Sequence, residues 1–143
     1  MDLNPYTFTA PWTAYEFAHH VLRSNARLVV LSMAWLTRLT VAELGTGDDG
    51  ARIAKEPDWE TVAYWVERLR PLVQESGEGN GEREVVVVFA NRCGVEPGVE
   101  EEARYAGSSA VVRIRGGEVE ILGGFGRGEE GVLVCDTDAS TGR

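Results

Sequence analysis

The sequence predicts an α/β protein, and three observations carry that expectation. Glu84 to Gly94, EVVVVFANRCG, sets four valines and a phenylalanine together and ends abruptly in polar turn residues. A strand dispenses with polar alternation only when both its faces are buried, so this is the central strand. Two stretches, Thr13 to Asn25 and Asp58 to about Val73, carry their apolar residues on a single helical stripe. The first leads directly into Leu28 to Met33, LVVLSM, and helix followed by strand is the grammar of a βαβ unit.

Taken in order, Met1 to Trp12 contains two prolines that bias the preceding residues toward extended backbone, so it is loop or strand end. Thr13 caps the first helix, with Ala14, Phe17, Ala18, Val21 and Leu22 as its stripe. LVVLSM is a second buried strand, and a short strand ahead of Met1 would complete the βαβ unit. Residues 37–57 hold Gly45, Gly47 and Gly50 with two consecutive aspartates and keep no period, which gives an excursion loop with room for a helical turn at 40–44. Asp58 caps a second helix whose stripe runs through Trp59, Val62, Ala63, Val66, Leu69 and Val73, with Glu60, Glu67, Arg68 and Arg70 mostly off it, and Pro71 kinks or ends it.

Residues 75–83, ESGEGNGER, form a polar connection into the central strand. Beyond that strand, Pro97 and Gly98 turn the chain, and Glu100, Glu101 and Glu102 make a solvated acidic run. Ser108 to Ile114 and Val119 to Leu122 form a hairpin across Gly116-Gly117, a pair that supplies the positive φ a tight turn requires. Gly131 to Asp136 is a last strand. The expected organisation is one domain over residues 1–138 with a polar tail at 139–143.

A net charge of −9 opposes phosphate backbones, and with no basic patch this excludes nucleic acid as a partner. No apolar run reaches the roughly 20 residues of a membrane span, so no membrane role is expected. The opening MDLNPYTF carries an acid where a signal peptide carries basic residues, so the expected location is cytoplasmic. Cys93 and Cys135 stand far apart, outside any metal-ligand spacing, and read as free thiols. His19 and His20 are adjacent and diverge by about 100° on a helix, which suits surface or interface positions. No metal or other cofactor is expected.

Several motifs, in this order and spacing, resemble the second half of a nitrilase-superfamily (carbon–nitrogen hydrolase) domain. MDLNPYTFTAP is similar to the segment that follows that family's nucleophilic cysteine, and LVVLSMAW to the strand whose end lines its pocket. Asp58-Trp59 is similar to its His-Trp at the start of the next helix, and ANRCG to its Ala-Asn-Arg-hydrophobic-Gly signature. YAGSSAVVRIRGGEVEIL resembles its Gly-x-Ser hairpin and EEGVLVCDTD its closing strand. MDLNPY with FTAP and LSMAWLT most resembles the fungal branch that acts on amino-terminal asparagine and glutamine of proteins. The implied fold is the C-terminal half of a nitrilase-like four-layer α-β-β-α sandwich.

The family's catalytic set is a glutamate base, an oxyanion-stabilising lysine and a cysteine nucleophile. The resemblance puts the first two in the family's other half and the cysteine immediately before Met1, so no catalytic residue is expected within this chain. Cys93 and Cys135 fall on a small-hydrophobe position and in a terminal strand, not on nucleophile positions. Five residues remain as pocket or supporting candidates. Asp2 either meets a substrate's α-ammonium group or pins its own turn, and Asn4 has the same two readings. Trp35, after the pocket-lining strand, either packs on a substrate peptide or fills the core. Asn91 and Arg92 either satisfy loop carbonyls or hold the nucleophile turn, supporting roles favoured over direct contact with substrate. Trp59 and Trp65 are expected to be packing residues.

The implied parent activity is deamidation of protein amino-terminal Asn or Gln through a cysteine thioester, which feeds an N-degron pathway. Protein or peptide amino termini are then the substrate, the 13–25 helix serves either self-association or a solvated face, and this chain alone is expected to be an inactive fragment. Two alternatives stand beside it: a non-enzymatic half-domain that pairs with a nitrilase partner, and a nitrilase-family amidase for another small amide.

Overall fold

The computed structural model describes residues 2–40, 43, 47–77, 83–98 and 102–138. Its elements in chain order are α1 (Glu16–Ser24), β1 (Leu28–Met33), α2 (Gly47–Lys55), α3 (Trp59–Glu67), α4 (Arg70–Gly77), β2 (Glu84–Asn91), β3 (Val95–Glu96), β4 (Ala103–Arg104), β5 (Ala110–Arg115) and β6 (Glu118–Gly124). Four strands form one sheet in the order β1-β2-β5-β6, and β3 pairs with β4 apart from it. The valine run is β2, which pairs in parallel with β1 and antiparallel with β5. Gly116 and Gly117, at φ 60° and 79°, turn β5 into β6, as the paired glycines require.

The core lies between the sheet and the helices. Val29 and Leu31 of β1, Val85, Val87 and Phe89 of β2, and Val112 and Ile114 of β5 point to one face. Ala18 and Val21 of α1, Val62 and Trp65 of α3, and Leu72 of α4 cover that face. Trp65 is fully buried and stacks on Phe89 with ring centroids 5.3 Å apart. Because α1 commits Ala18 and Val21 to this core, His19 and His20 are left on the exposed side.

Five expectations are corrected. Thr13 is not the cap of α1: it lies in a 3-10 turn, Trp12–Ala14, and the helix starts after Tyr15, which is left-handed at φ 43°. LVVLSM is not buried on both faces; β1 sits at the sheet edge and alternates, leaving Leu28 61% and Val30 64% exposed. Residues 47–55, expected as loop, are helical. Asp48 and Asp49 in the first turn and Arg52 and Lys55 in the last complement the helix dipole, while Gly128 N–H and Arg127 N–H bond the Ala54 and Glu56 carbonyls at its end. Most of the 40–44 turn lies outside the described residues.

The expected strand at 131–136 pairs with nothing in the sheet. Leu133 and Cys135 lie against Gly123, and Arg113 donates to the Thr137 carbonyl at 2.6 Å, so the segment lies on the outer face of β5 and β6, not along an edge. Trp59, expected to pack, is 56% exposed. Asp58 does cap α3, accepting the Thr61 N–H at 3.1 Å, and Pro71 falls in the first turn of α4 after α3 has ended. No helix among the described residues is long and apolar enough to cross a membrane.

Candidate active site

Three of the five candidates meet in one groove. Asp2 and Asn4 from the amino-terminal segment and Ser32, Met33 and Trp35 from the end of β1 line a cavity of about 470 Å³. Its geometry is built by polar side chains aimed at backbone. Asp2 accepts the Asn4 N–H at 3.1 Å, a local turn closed by the aspartate itself. The Asn4 side-chain oxygen accepts from the Tyr64 hydroxyl at 2.7 Å. Burial pushes the Tyr64 pKa up, so the phenol stays protonated and remains a donor.

Asn91 and Arg92 lie behind the groove and do not line it. Asn91, 8% exposed, accepts the Trp35 N–H at 2.7 Å and donates to the Trp35 carbonyl at 3.3 Å and the Gly107 carbonyl at 2.9 Å. Its backbone exchanges two further bonds with the Ser109 hydroxyl, each at 3.0 Å. One amide thus ties the end of β1 to the turn before β5. Arg92 bonds the Met33 carbonyl through its backbone, but its side chain turns away to Glu96 at 2.8 Å and over the Tyr105 ring at 4.6 Å.

Arg68, expected off the stripe of the second helix, is corrected by the structure. It is 4% exposed, donates to the Leu3 carbonyl at 3.0 Å and the Trp12 carbonyl at 2.6 Å, and lies over the Trp12 and Tyr15 rings at 5.4 and 4.7 Å. A signal existed: Trp65, Arg68, Leu69 and Leu72 fall at i, i+3, i+4 and i+7, which puts the arginine on the apolar stripe. A second cavity of about 600 Å³ shares Trp35 with the first and is walled by Trp59, Tyr64, Asp58 and Arg127.

Neither cysteine lies in either cavity. Burial, and then the Glu130 carboxylate 3.8 Å away, push the Cys93 thiol up, whereas a nucleophile needs an electropositive site that lowers it. Cys135 is half-buried against Gly123. Among the described residues, no three His, Cys, Asp or Glu side chains gather where they could hold a metal ion.

No protein-family model matches the chain. It is 31% identical over 149 aligned residues to the protein N-terminal amidase of Schizosaccharomyces pombe, an alignment covering 96% of this chain and 46% of that protein. It is 37% identical over 46 residues to the protein N-terminal amidase of Saccharomyces cerevisiae, covering 32% of this chain and 10% of that one. The crystal structure of an N-terminal amidase with an Asn-Glu-Ala peptide superposes with a TM-score of 0.66 at 19% identity, over 90% of this chain and 55% of the other. The chain therefore spans about half the length of the S. pombe relative. Over that span it is a homologue of the fungal protein N-terminal amidases and has their nitrilase-like α/β fold.

Proposed function

We propose that residues 1–143 are the pocket wall and scaffold of a cytoplasmic enzyme that removes the side-chain amide from an amino-terminal Asn or Gln. The observation that carries this is the S. pombe match, which covers 96% of the chain. In this reading the glutamate, lysine and cysteine lie outside residues 1–143, with the cysteine next to Met1. The thiolate attacks the amide carbon and ammonia leaves. Water activated by the glutamate then cleaves the thioester and releases an amino-terminal Asp or Glu. Trp35 walls the substrate groove, and Asp2 and Asn4 shape the turn that follows the sulfur. The product is the kind of amino terminus an N-degron pathway would take up.

The test is ammonia release from Asn- and Gln-initiated peptides and from free small amides. Residues 1–143 alone should release none. The same residues joined to a segment that supplies the cysteine, glutamate and lysine should act on the peptides and not on the small amides. Turnover by residues 1–143 alone, abolished by Cys93→Ala, would overturn the assignment, and preference for small amides would replace the substrate. The exposed Leu28 and Val30 favour a second reading, in which the half-domain pairs with a separate nitrilase-like partner. Co-purification with such a partner without amidase activity would decide for it.

A further inference from the structure

We infer that Arg68 is a positioning residue for the reacting cysteine, an inference that rests on the function proposed above. The polar partners of its buried guanidinium are two backbone carbonyls, Leu3 and Trp12, from the two ends of one irregular segment. A buried cation is tolerated only with its hydrogen bonds made, and a planar fork fixes the relative places of its two acceptors. The rings of Trp12 and Tyr15 add their faces to the same cation.

Short local turns shape the segment, with Phe8 N–H on the Pro5 carbonyl at 2.8 Å and Ala14 N–H on the Pro11 carbonyl at 2.9 Å. Thr7, Phe8 and Tyr15 nevertheless adopt positive φ, at 49°, 56° and 43°, a conformation that needs support from outside. Glu16 of α1 accepts the Tyr6 N–H at 2.8 Å, and at the start of the segment Tyr64 and Arg68, one turn apart, fasten the Asn4 side chain and the Leu3 carbonyl respectively. The polypeptide therefore approaches position 2, and the sulfur proposed just ahead of Met1, along a path set by α3. A displacement of about 1 Å in a reacting group costs on the order of 100-fold in rate, so the fork acts on catalysis without touching substrate.

Arg68→Lys keeps the charge and removes the fork. In the complete enzyme that joins residues 1–143 to the cysteine-bearing segment, it should lower kcat by roughly 10- to 100-fold with KM held within about threefold. The pH midpoint of cysteine alkylation should not move, because Arg68 acts through backbone and not on the sulfur. Amide hydrogen exchange across residues 3–15 should rise in the same variant. Arg113→Met, which disrupts a buried arginine on the far face of the sheet, should lower thermal stability while kcat at 25 °C holds.

Unchanged kcat in Arg68→Lys, or a loss matched by Arg113→Met, would overturn the inference while the parent activity stands. A complete enzyme that releases no ammonia from Asn-initiated peptides would remove the function reading and this inference with it. Faster exchange over residues 3–15 would then show Arg68 as a structural anchor only.

Discussion

Asn91 and Trp35 grip each other in both directions: the Trp35 N–H donates to the Asn91 side-chain oxygen at 2.7 Å, and the Asn91 amide donates back to the Trp35 carbonyl at 3.3 Å. The same amide reaches the Gly107 carbonyl, so the end of β1 and the entry to β5 share one buried side chain. Asn91→Ala should cost about 3 kcal/mol, because it strands a buried N–H and weakens two carbonyls at once. Asn91→Asp keeps the acceptor but aims a carboxylate at two carbonyl oxygens, which favours its protonated form in the folded state. The folded protein then binds more protons than the unfolded one, so the variant's stability falls as pH rises. Urea melts at pH 5 and pH 7 should show Asn91→Asp nearer to wild type at the lower pH.

Cys93 is a ready test of where the chemistry resides. Burial first, and Glu130 second, hold its thiol above the ordinary range, so the neutral form dominates at pH 7. Iodoacetamide should modify it slowly at pH 7, with the rate still climbing where that of an ordinary thiol has levelled off. Glu130→Gln removes the nearby negative charge and should move that profile to lower pH, while Cys93→Ser should leave amide hydrolysis by the complete enzyme unchanged. A fast, pH-independent reaction near neutrality would mean a thiolate, and with it a different nucleophile assignment.

What could be read from the sequence was what local pattern decides. The valine run, the strand at Leu28–Met33 and the glycine-paired hairpin all appear where their β-branched residues and turn chemistry put them. Missing were features settled by distant partners. α2 carries Gly47, Gly50 and two adjacent aspartates, residues that read as loop, it buries no residue, and its end is held by the 126–128 loop. Alternation at 131–136 is the same whether a segment pairs at an edge or lies on a face, and here Gly123 opens room for the face.

The site divides the same way. Asp2, Asn4 and Trp35 were found by family resemblance, and the fold brings them to one groove because β1 ends beside the amino-terminal segment. The Asn91 side-chain amide donates to the Trp35 and Gly107 carbonyls, one of the arrangements its place after the central strand allows. Arg68 was read as off the stripe because that stripe was drawn from Trp59, and the sequence does not say which carbonyls would satisfy it, since these are 65 and 56 residues away.

Gly107 is required by both backbone shape and space. It adopts φ 53°, and a methyl group there would overlap the Arg127 carbonyl. Relief would need the 126–128 loop to move, and that loop bonds the end of α2. Gly107→Ala should therefore cost about 3 kcal/mol or more. Thermal denaturation against Gly116→Ala separates the two causes, because Gly116 has φ 60° but open space around it and should lose only about 1 kcal/mol. Equal losses would show that the close approach at Arg127 carries no weight.

Leu28 and Val30 lie on the sheet face opposite the helices, register with Val86 and Val88 of β2, and are 61% and 64% exposed. The row continues through Val86, which is buried, to Arg113, which pairs with Glu120 at 3.0 Å, so the exposed apolar strip belongs to β1 and the face gives way to charge toward β5. An apolar strip at an unprotected strand edge drives association. Residues 1–143 alone should sediment as concentration-dependent oligomers, and Leu28→Glu with Val30→Glu should return them toward monomer, with unfolding stability changed by no more than about 0.5 kcal/mol per site. On the function proposed above the strip is where the remainder of the enzyme would sit, so the same double variant should impair assembly of the complete enzyme. A double variant that leaves both the oligomers and the assembly unchanged would mean this face contacts nothing in either setting.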